Sequence, residues 1–486
     1  MSTPSPASSS APTNFRWVIC ALLFWVTTAN YLDRNVFGNL KPELPGYLKL
    51  EDEYRTKHAS ELQATHQQHP QAAADIQSCD ACKKFVHDRV YSDWDEQYWN
   101  MTVVFQAFYA VSNLFMGWFM DKIGLRWGFV IACIFWGLAS ISHAFAPQIG
   151  ILFGSTVAGF YVCRALLGLG EGGNFPAANK AVAEWFPKRE RALANSLFNS
   201  GSNVGGLLVP IALPTIVGLS VGSITLGWRG AFLLTAVIDL LWIAAWLLFY
   251  RKPEVHPKVN KEELTLIQSD VKEPTVRIPW RRLLPHKQMW AFAVPKLMTD
   301  CFWWFYLVGS PDFFSKKFGL DADGRKYQLI VIYVVSSFAG VAGGWLAGIF
   351  IKQGWSVNKA RKITMLICAT LVIPVVYSGF TDSKWIAAAL ITLAASAHQA
   401  WSANVFALAG DMFPKRVVGS VTGLGGMLGS VGGIILFTVT GKVLKATGNY
   451  MPVFVMASIA YVIALAIIHT LVPILEQARI DENTAA

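Results

Sequence analysis

At residues 15–38 the chain reads FRWVICALLFWVTTANYLDRNVFG, and at residues 151–175 it reads ILFGSTVAGFYVCRALLGLGEGGNF. The first stretch carries Asp33 and Arg34, and the second carries Arg164 and Glu171. A charge near the centre of a bilayer costs about 3 kcal/mol or more, so charges kept there normally pair around a polar cavity and mark the path of an ion or small molecule. The two stretches therefore predict membrane-spanning helices with a polar centre.

The composition supports a membrane protein. With 53% hydrophobic and 15% charged residues among 486, the chain has too much apolar surface for one water-soluble core. Apolar runs of about 20 residues match the thickness of a bilayer. Twelve such runs predict an all-α membrane protein with twelve transmembrane helices, at 16–38, 98–120, 127–146, 150–173, 191–218, 228–250, 288–311, 327–351, 361–380, 385–410, 417–444 and 450–473. Because the tail before the first run lacks the basic region of a cleaved signal, we expect that run to be retained.

Basic residues collect in alternate connections between these runs. The links after the second, fourth, sixth, eighth and tenth runs hold Lys122 and Arg126, then Lys188, Arg189 and Arg191, then the 251–287 segment, then Lys359, Arg361 and Lys362, and finally Lys415 and Arg416. Lys and Arg are enriched in cytoplasmic loops, so both termini are expected in the cytoplasm. The net charge of +10 reflects this bias. No nucleic-acid-binding module is evident, and no nucleic-acid partner is expected.

An internal repeat divides the chain into two halves. GWFMD at 117–121 is echoed by GWLAG at 344–348, and FPKR at 186–189 recurs at 413–416, each pair separated by 227 residues. A shared offset predicts two six-helix bundles facing one another around a central site. The expected organisation is a disordered tail at 1–15, a bundle at 16–250 with an extracytoplasmic insertion at about 43–97, a cytoplasmic linker at 251–287, a second bundle at 288–473 and a tail at 474–486.

The insertion accounts for the unequal length of the halves. Trp17 and Trp290 begin the first and seventh runs 273 residues apart, which exceeds the 227-residue offset by about 46. The insertion is polar and contains Cys79 and Cys82, which predict a local disulfide or two free thiols in a small helical cap. A metal site formed by these cysteines with His87 is the alternative. We expect the cap to be dispensable for the central site.

The candidate chemistry starts with the charged pairs. Tyr31, Asp33 and Arg34 lie within about one helical turn, while Arg164 and Glu171 are two turns apart on one face. Each arginine can neutralise a carboxylate, and a carboxylate whose arginine has moved to an anionic substrate can take up a proton. This predicts substrate binding by Tyr31, Arg34 and Arg164 and proton coupling by Asp33 and Glu171. Ion pairs that only join helices are the alternative.

The second bundle offers a polar segment, AHQAWSAN at 397–404. It supplies the candidate substrate-binding residues Gln399, Trp401, Ser402 and Asn404. His398 lies 227 residues after Glu171, which makes it a candidate proton-coupling residue; a neutral core histidine is the alternative. Trp304, near the middle of the seventh run, is either an aromatic wall of the site or part of the core.

Four segments together resemble a known family. They are NYLDR at 30–34, GWFMDKIGLR at 117–126, RALLGLGEGGNFPAANKAVAEWFPKRER at 164–191, and AHQAWSANVFALAGDMFPKR at 397–416. In these segments the chain resembles the major facilitator superfamily, within it the anion:cation symporter branch, and in particular hexuronate transporters. The segment with Gly117, Asp121 and Arg126 is similar to the gating loop between helices 2 and 3 of the superfamily. Its repeat has Gly348 where that loop has an Asp, so a symmetric latch is not expected.

The resemblance implies roles for further residues. It assigns carboxylate binding and proton carriage to Asp33, Arg34, Arg164 and Glu171, and it adds Tyr109 and Ser202 to the pocket. It implies proton symport of a sugar-acid anion, hexuronate first, in a bacterial inner membrane, with protons and lipid as partners, no cofactor or metal, and a functional monomer. Symport of another organic anion, such as an aldonate, glucarate, aromatic or dicarboxylic acid, and a non-transporting sensor are the alternatives. An enzyme is not expected, because no nucleophile and base set is evident.

Overall fold

The computed structural model of the protein describes residues 11–67, 80–221, 224–269, 280–478 and 480. Long helices dominate these ranges. The strands there are two short ones, Ser220–Val221 and Ile224–Thr225, which pair antiparallel. The helices, numbered in chain order, are α1 Arg16–Leu40, α2 Leu44–Tyr47, α3 Leu50–Lys57, α4 Ala59–Gln67, α5 Asp80–Ile123, α6 Leu125–Ala144, α7 Ala146–Ile151, α8 Ala158–Glu171, α9 Asn174–Trp185, α10 Lys188–Gly218, α11 Gly227–Phe249, α12 Lys261–Ile267, α13 Lys287–Phe318, α14 Ala322–Lys352, α15 Val357–Val372, α16 Lys384–Met412, α17 Lys415–Thr447 and α18 Met451–Leu471. Short 3₁₀ helices lie at Pro253–Val255, Trp280–Arg282 and Ile373–Gly379.

The protein is an all-α membrane protein with two six-helix bundles, as the sequence predicts. Within the described ranges, six helices can cross a membrane by length and apolar composition alone. They are α6, 193–218 of α10, α11, α15 with the 3₁₀ turn that follows it, 420–447 of α17, and α18. The helices outside this set include α1, whose Asp33 and Arg34 reduce its mean hydropathy, and α8, which is too short at 14 residues. For α1, the polar centre and the weak membrane signal thus come from the same residues.

Equivalent helices make equivalent contacts in the two halves. In the first bundle α1 packs on α10, α5 on α8 and α6 on α11; in the second, α13 packs on α17, α14 on α16 and α15 on α18. Between the bundles, α5 meets α17, α10 meets α14 and α1 meets α13. This is the arrangement of two halves related by an approximate two-fold axis, which the 227-residue repeat implies.

The fourth span differs from the apolar run that predicts it. The run at 150–173 suggests one helix, but α7 ends at Ile151 and α8 begins at Ala158. The chain turns between them, where Gly154 adopts a φ of +72°, a left-handed conformation that glycine accepts without steric cost. After a second break at Gly172 and Gly173, α9 continues to Trp185. An apolar run predicts which residues are buried in lipid or protein, but it does not predict where the helix is interrupted by turns.

Two glycines fix the position of α1 against α10. A Cβ atom on Gly201 would lie 2.5 Å from the carbonyl oxygen of Phe24, and one on Gly205 would lie 2.4 Å from that of Thr28. Both distances are too short for any side chain, so the two backbones are in direct contact. This close packing sets the depth at which the polar turn of α1 lies.

The insertion forms α2, α3, α4 and the first part of α5, packed around buried Leu62, Val86 and Trp94. Cys79 lies outside the described residues, so the expected thiol pair is not described; Cys82 is buried. His87 turns to a different partner, with its Nδ1 3.0 Å from Glu51 Oε1. The described part of the chain contains no group of three or more His, Cys, Asp or Glu residues suited to hold a metal.

A buried chain of ionic contacts joins the two bundles at the end that carries the insertion. Lys41, at the end of α1, places its Nζ 2.9 Å from Asp95 Oδ1 on α5 and 2.5 Å from Asp312 Oδ2 on α13. Lys316 Nζ approaches the other oxygen of Asp95 at 2.7 Å, and the Tyr450 hydroxyl donates to Asp312 at 2.5 Å. Lys41 is completely buried. We call these five residues the insertion-end network.

Two further basic residues form ion pairs between the bundles at the same end. Arg325 on α14 reaches Glu43 at 2.6 Å and the carbonyl oxygen of Asn39 at 2.6 Å. Lys445 on α17 reaches Glu96 at 2.6 Å and Asp93 at 3.2 Å. The last part of the insertion therefore contacts the second bundle directly and is not only a cap over the first.

Replacing Lys41 by Met should loosen the insertion end. The change leaves Asp95 and Asp312 buried without their shared cation, and removing one partner of a buried ion pair costs about 3–5 kcal/mol. Spin labels at Lys84 and Asp323, with native cysteines replaced, should show a longer distance between the bundles in Lys41→Met. Lys57→Met is the matched control, because Lys57 pairs with Glu53 at the exposed surface of the insertion. An unchanged distance distribution in Lys41→Met would contradict a bundle-joining role for the network.

The linker docks on the first bundle through Glu263, which lies in α12. Its buried carboxylate accepts hydrogen bonds from the backbone N–H groups of Phe15 and Arg16, both at 3.0 Å, from the Arg16 guanidinium at 3.1 Å and from the Thr13 hydroxyl. Residues 11–15, expected to belong to a disordered tail, are thus packed against the linker, while residues 1–10 lie outside the described residues. Burial alone would raise the pKa of Glu263, but these donors outweigh it and hold the pKa below its ordinary value.

Acid should weaken this docking. A carboxylate with a lowered pKa in the folded state stabilises the fold above its unfolded pKa of about 4.3, and that contribution is lost as the pH falls through the lower, folded value. The difference in melting temperature between wild type and Glu263→Gln should therefore be largest near neutral pH and shrink below about pH 4. Exposed Glu254→Gln serves as the control and should show no such difference. A constant difference from pH 7 down to pH 3 would exclude this linkage.

Candidate functional site

The polar turn of α1 lies where the two bundles meet. Tyr31 is buried, and its ring stacks on that of Trp304 from α13, with centroids 6.2 Å apart and planes at 19°. Gly205 of α10 packs behind Tyr31. The structure thus brings a predicted residue of each bundle into contact.

Arg34 forms the central ion pair of the site. Its Nε donates to Glu171 Oε2 at 2.8 Å, and its Nη2 lies 2.7 Å from the same oxygen. The guanidinium carbon also lies 4.6–5.1 Å from the centroids of four aromatic rings, those of Tyr31, Phe105, Tyr109 and Trp304. Aromatic faces attract a cation, so this cage stabilises the guanidinium where water is scarce. Tyr109, implied by the family resemblance, is part of the site.

Arg164 is differently placed. The sequence suggests that it neutralises Glu171 on the same helix face, but Glu171 turns to Arg34 on α1 instead. Arg164 lies over the ring of Phe105 at 4.3 Å and that of Phe37 at 5.1 Å. Its Nε and Nη1 are buried and make no hydrogen bond to the described protein atoms. Glu171 therefore pairs with one of the two guanidinium groups, and the other forms no ion pair within the described residues.

Asp33 points away from this pair. Consecutive residues of an α-helix differ by about 100° in direction, so Asp33 and Arg34 cannot face the same neighbour. Asp33 Oδ1 accepts a hydrogen bond of 2.6 Å from Ser140 of α6. Next to it lies Asp239 of α11, which is 1% exposed and was not selected from the sequence. The rule that identified Asp33, a charge inside an apolar run, also applies to Asp239 in AVIDLLWIAAW.

The candidates on α16 lie mainly inside the second bundle. His398 contacts the Tyr461 hydroxyl through Nδ1 at 2.8 Å, and Trp401 donates its indole N–H to Thr299 at 3.2 Å. Asn404 donates to the carbonyl oxygens of Gly343 and Ala400 and lies 3.4 Å from Arg361. The structure does not bring these three buried side chains to Arg34. Gln399 and Ser402 are half-buried on other faces of the same helix.

The remaining predicted residues lie elsewhere. Ser202 donates its hydroxyl to the carbonyl oxygen of Asn199, one turn back in α10, at 2.7 Å. In the predicted gating loop, Asp121 pairs with Lys180 of α9 at 2.6 Å, and Arg126 donates to the carbonyl oxygen of Leu247 on α11 at 2.8 Å. Gly117 has open space where a Cβ would point. The loop thus joins helices of the first bundle.

Several buried polar groups have unused hydrogen-bonding capacity. In the central pair these are Arg34 Nη1 and Glu171 Oε1; elsewhere on the helices that meet at the bundle interface they include both side-chain polar atoms of Asn30, Gln106 Nε2 and the Tyr306 hydroxyl. Buried polar groups normally have partners, so the unsatisfied atoms of the central pair and of Arg164 suit a polar ligand or water. Cationic donors suit a carboxylate, and amide and hydroxyl groups suit the hydroxyls of a sugar.

Comparison with known proteins agrees with this geometry. A family model described as Major Facilitator Superfamily matches residues 23–437. The chain is 25% identical over 401 residues to the hexuronate transporter of Escherichia coli (strain K12), which covers 80% of this chain and 89% of that protein. It is 26% identical over 385 residues to the D-galactonate transporter of Escherichia coli O6:H1, with coverage of 76% and 86%.

A solved structure supports the fold. The inward-open xylose transporter XylE from E. coli is similar with a TM-score of 0.66 and 14% identity, covering 94% of this chain and 96% of that chain. At this identity the likeness concerns the fold alone. Because the family model spans most of the chain and the two-bundle fold is shared, the protein belongs to the Major Facilitator Superfamily of membrane transporters.

Proposed function

We propose that this protein is a secondary active transporter that carries a sugar-acid anion, hexuronate first, together with a proton. The observation that carries the proposal is a buried guanidinium without an ion-pair partner in the described residues: Glu171 pairs with Arg34, and the Nε and Nη1 of nearby Arg164 make no hydrogen bond. A buried charge without a partner is costly, so the site favours an anionic ligand. The names of the hexuronate and D-galactonate transporters point to the same class of ligand.

The ion pair supplies a mechanism for coupling. While Glu171 is ionised it occupies Arg34, and a substrate carboxylate must replace it to bind there. Replacement leaves Glu171 without its cation in a water-poor site, where the neutral, protonated form is favoured. Substrate and proton therefore bind together, and each is released when the other leaves. Arg164, whose Nε and Nη1 have no hydrogen-bond partner among the described residues, offers a first contact for the incoming anion.

The arrangement of the bundles gives the direction of access. Ion pairs hold them together at the insertion end, which the basic loops predict to be outside the cell. The conformation is then closed outwards, and alternating access exposes the site by moving one bundle against the other. We further propose that the protein works as a monomer in a bacterial inner membrane, with both termini in the cytoplasm. Another organic anion remains the alternative substrate, and a sensor of the same fold the alternative function.

Uptake of labelled glucuronate into proteoliposomes tests the proposal. An inward pH gradient should drive accumulation above equilibrium, and a protonophore should abolish it. Binding without any flux would favour the sensor. Accumulation of galactonate or glucarate but not of glucuronate would support the transport function and contradict hexuronate as the substrate.

Arg34→Ala should abolish measurable substrate binding. Charge-assisted hydrogen bonds are each worth about 1.5–3 kcal/mol, so affinity should fall by tenfold or more in calorimetric titration with glucuronate. Arg34→Lys should recover only part of it, because an ammonium lacks the two-pronged geometry of guanidinium. Arg281→Ala, in the exposed linker, is the control. Wild-type affinity in folded Arg34→Ala would refute the assignment.

Glu171→Gln should separate transport from accumulation. Glutamine has nearly the shape of the protonated acid, so substrate should still bind and exchange across the membrane in counterflow, while accumulation driven by a pH gradient should disappear. If Glu171 served only to join α8 to α1, Arg34 would be left buried and unpaired, and stability and every mode of transport should be lost together. Retained accumulation in Glu171→Gln would move the coupling site to Asp33.

A further inference from the structure

A second carboxyl group lies deep in the first bundle beside Asp33. Asp239 is 1% exposed in α11, and Asp33 is completely buried in α1. Both carboxyl groups meet the same turn of α6: Ser140 donates to Asp33, and a Cβ on Gly137, three residues earlier, would lie 3.4 Å from Asp239 Oδ2. Two carboxyl groups from helices distant in sequence therefore lie close together, on a face of α1 about 100° away from that of Arg34.

The surroundings of the two carboxyl groups are polar but carry no compensating charge. Ser140 of α6 donates to Asp33 Oδ1 at 2.6 Å, and its oxygen lies 3.1 Å from the Thr235 hydroxyl of α11. Asp33 Oδ2 and both side-chain oxygens of Asp239 are buried and accept no hydrogen bond from the described residues, although the indole N–H of Trp136 lies near Asp239. Within the described residues, no Lys or Arg forms an ion pair with either group.

The other titratable groups near this pair do not supply that charge. Glu171 on α8 adds negative charge that acts on both aspartates. Cys133 on α6 places its sulfur 4.0 Å from the backbone carbonyl of Asp239. His143, also on α6, turns its Nδ1 to the carbonyl oxygen of Ala139, and Arg34 of α1 is occupied by Glu171.

Two adjacent carboxylates without a cation cannot both stay ionised in a water-poor interior, because their repulsion adds to the cost of burial. A proton on one of them removes a charge and supplies the missing donor to the other. We propose that Asp33 and Asp239 together hold one shared proton, and that this pair, not Asp33 alone, is a proton-binding site of the transport cycle. The role in transport rests on the proposed function, whereas proton sharing does not.

The step is a simple proton exchange. A proton from water binds the pair of carboxylates, forming one O–H bond and one O–H···O hydrogen bond between Asp33 and Asp239. The same proton returns to water when a change of conformation hydrates the pair. In the closed conformation described above, the shared proton supplies a donor to oxygens that otherwise have none in hydrogen-bonding geometry.

Infrared difference spectra of the purified protein between acidic and alkaline pH test the sharing without any substrate. Wild type should show a carboxyl C=O band that titrates as one unit, and Asp33→Asn and Asp239→Asn should each remove or shift that same band. Asp300→Asn is the control, because Asp300 in α13 has Lys296 as its partner at 2.5 Å. Two independent bands, each lost in only one variant, would overturn the proposal even if transport proceeds as proposed.

Transport measurements test the role in coupling. Asp239→Asn removes the like charge and the strong hydrogen bond, so Asp33 holds a proton less tightly, and the pH profile of accumulation should move to more acidic pH by about tenfold in proton concentration or more. Ser140→Ala removes a hydrogen-bond donor to ionised Asp33, so it should move the pH profile of accumulation to more alkaline pH. Counterflow in both variants verifies folding and binding. An unchanged profile in both, or accumulation that follows sodium and not protons, would refute the coupling role.

Discussion

The ion pair between Arg34 and Glu171 is the interaction on which the site depends. Neither charge could remain in the middle of a membrane alone, so α1 and α8 are held at the distance that lets them meet. The aromatic cage around Arg34 excludes water and adds favourable contacts with the cation. Because Glu171 pairs with Arg34 only, the nearby guanidinium of Arg164 has no ion-pair partner among the described residues. The stability of the site and the anion preference that we propose thus depend on the same three residues.

The second constraint acts between the bundles. At the insertion end, Lys41 lies between one carboxylate of its own bundle and one of the other, so separation of the bundles must divide a buried network. Ion pairs exposed to water by such a movement lose little, because solvent replaces the lost partners. The insertion-end network is therefore stable while it is buried. When the bundles separate, hydration of the charged groups offsets the lost ion pairs. The stacked Tyr31 and Trp304 form the contact between the bundles at the depth of the site.

The sequence predicts the class of fold and the centre of the site because both follow from one rule, the cost of charge in an apolar run. The same rule applies to Asp239, but this single aspartate in α11 has no charged neighbour in the sequence that would pair with it. What the rule cannot supply is the pairing of charges, since Glu171 could reach Arg164 within its helix or Arg34 across to α1. For α16 the residue types were suggestive, but helix rotation decides which face meets the site, and the polar pattern of AHQAWSAN does not fix that rotation.

The position of two adjacent residues on α1 connects the two proton-binding candidates. Arg34 faces Glu171 and the bundle interface, whereas Asp33 faces α6, α11 and Asp239 inside the first bundle. A substrate that displaces Glu171 from Arg34 acts on the same helical turn that holds Asp33 against Ser140. Any rotation of α1 that accompanies substrate binding must change both sets of contacts, because the turn is rigid and its backbone is fixed against Gly205 of α10. One turn of helix can therefore link anion binding on one side to proton binding on the other without a continuous chain of hydrogen bonds between them.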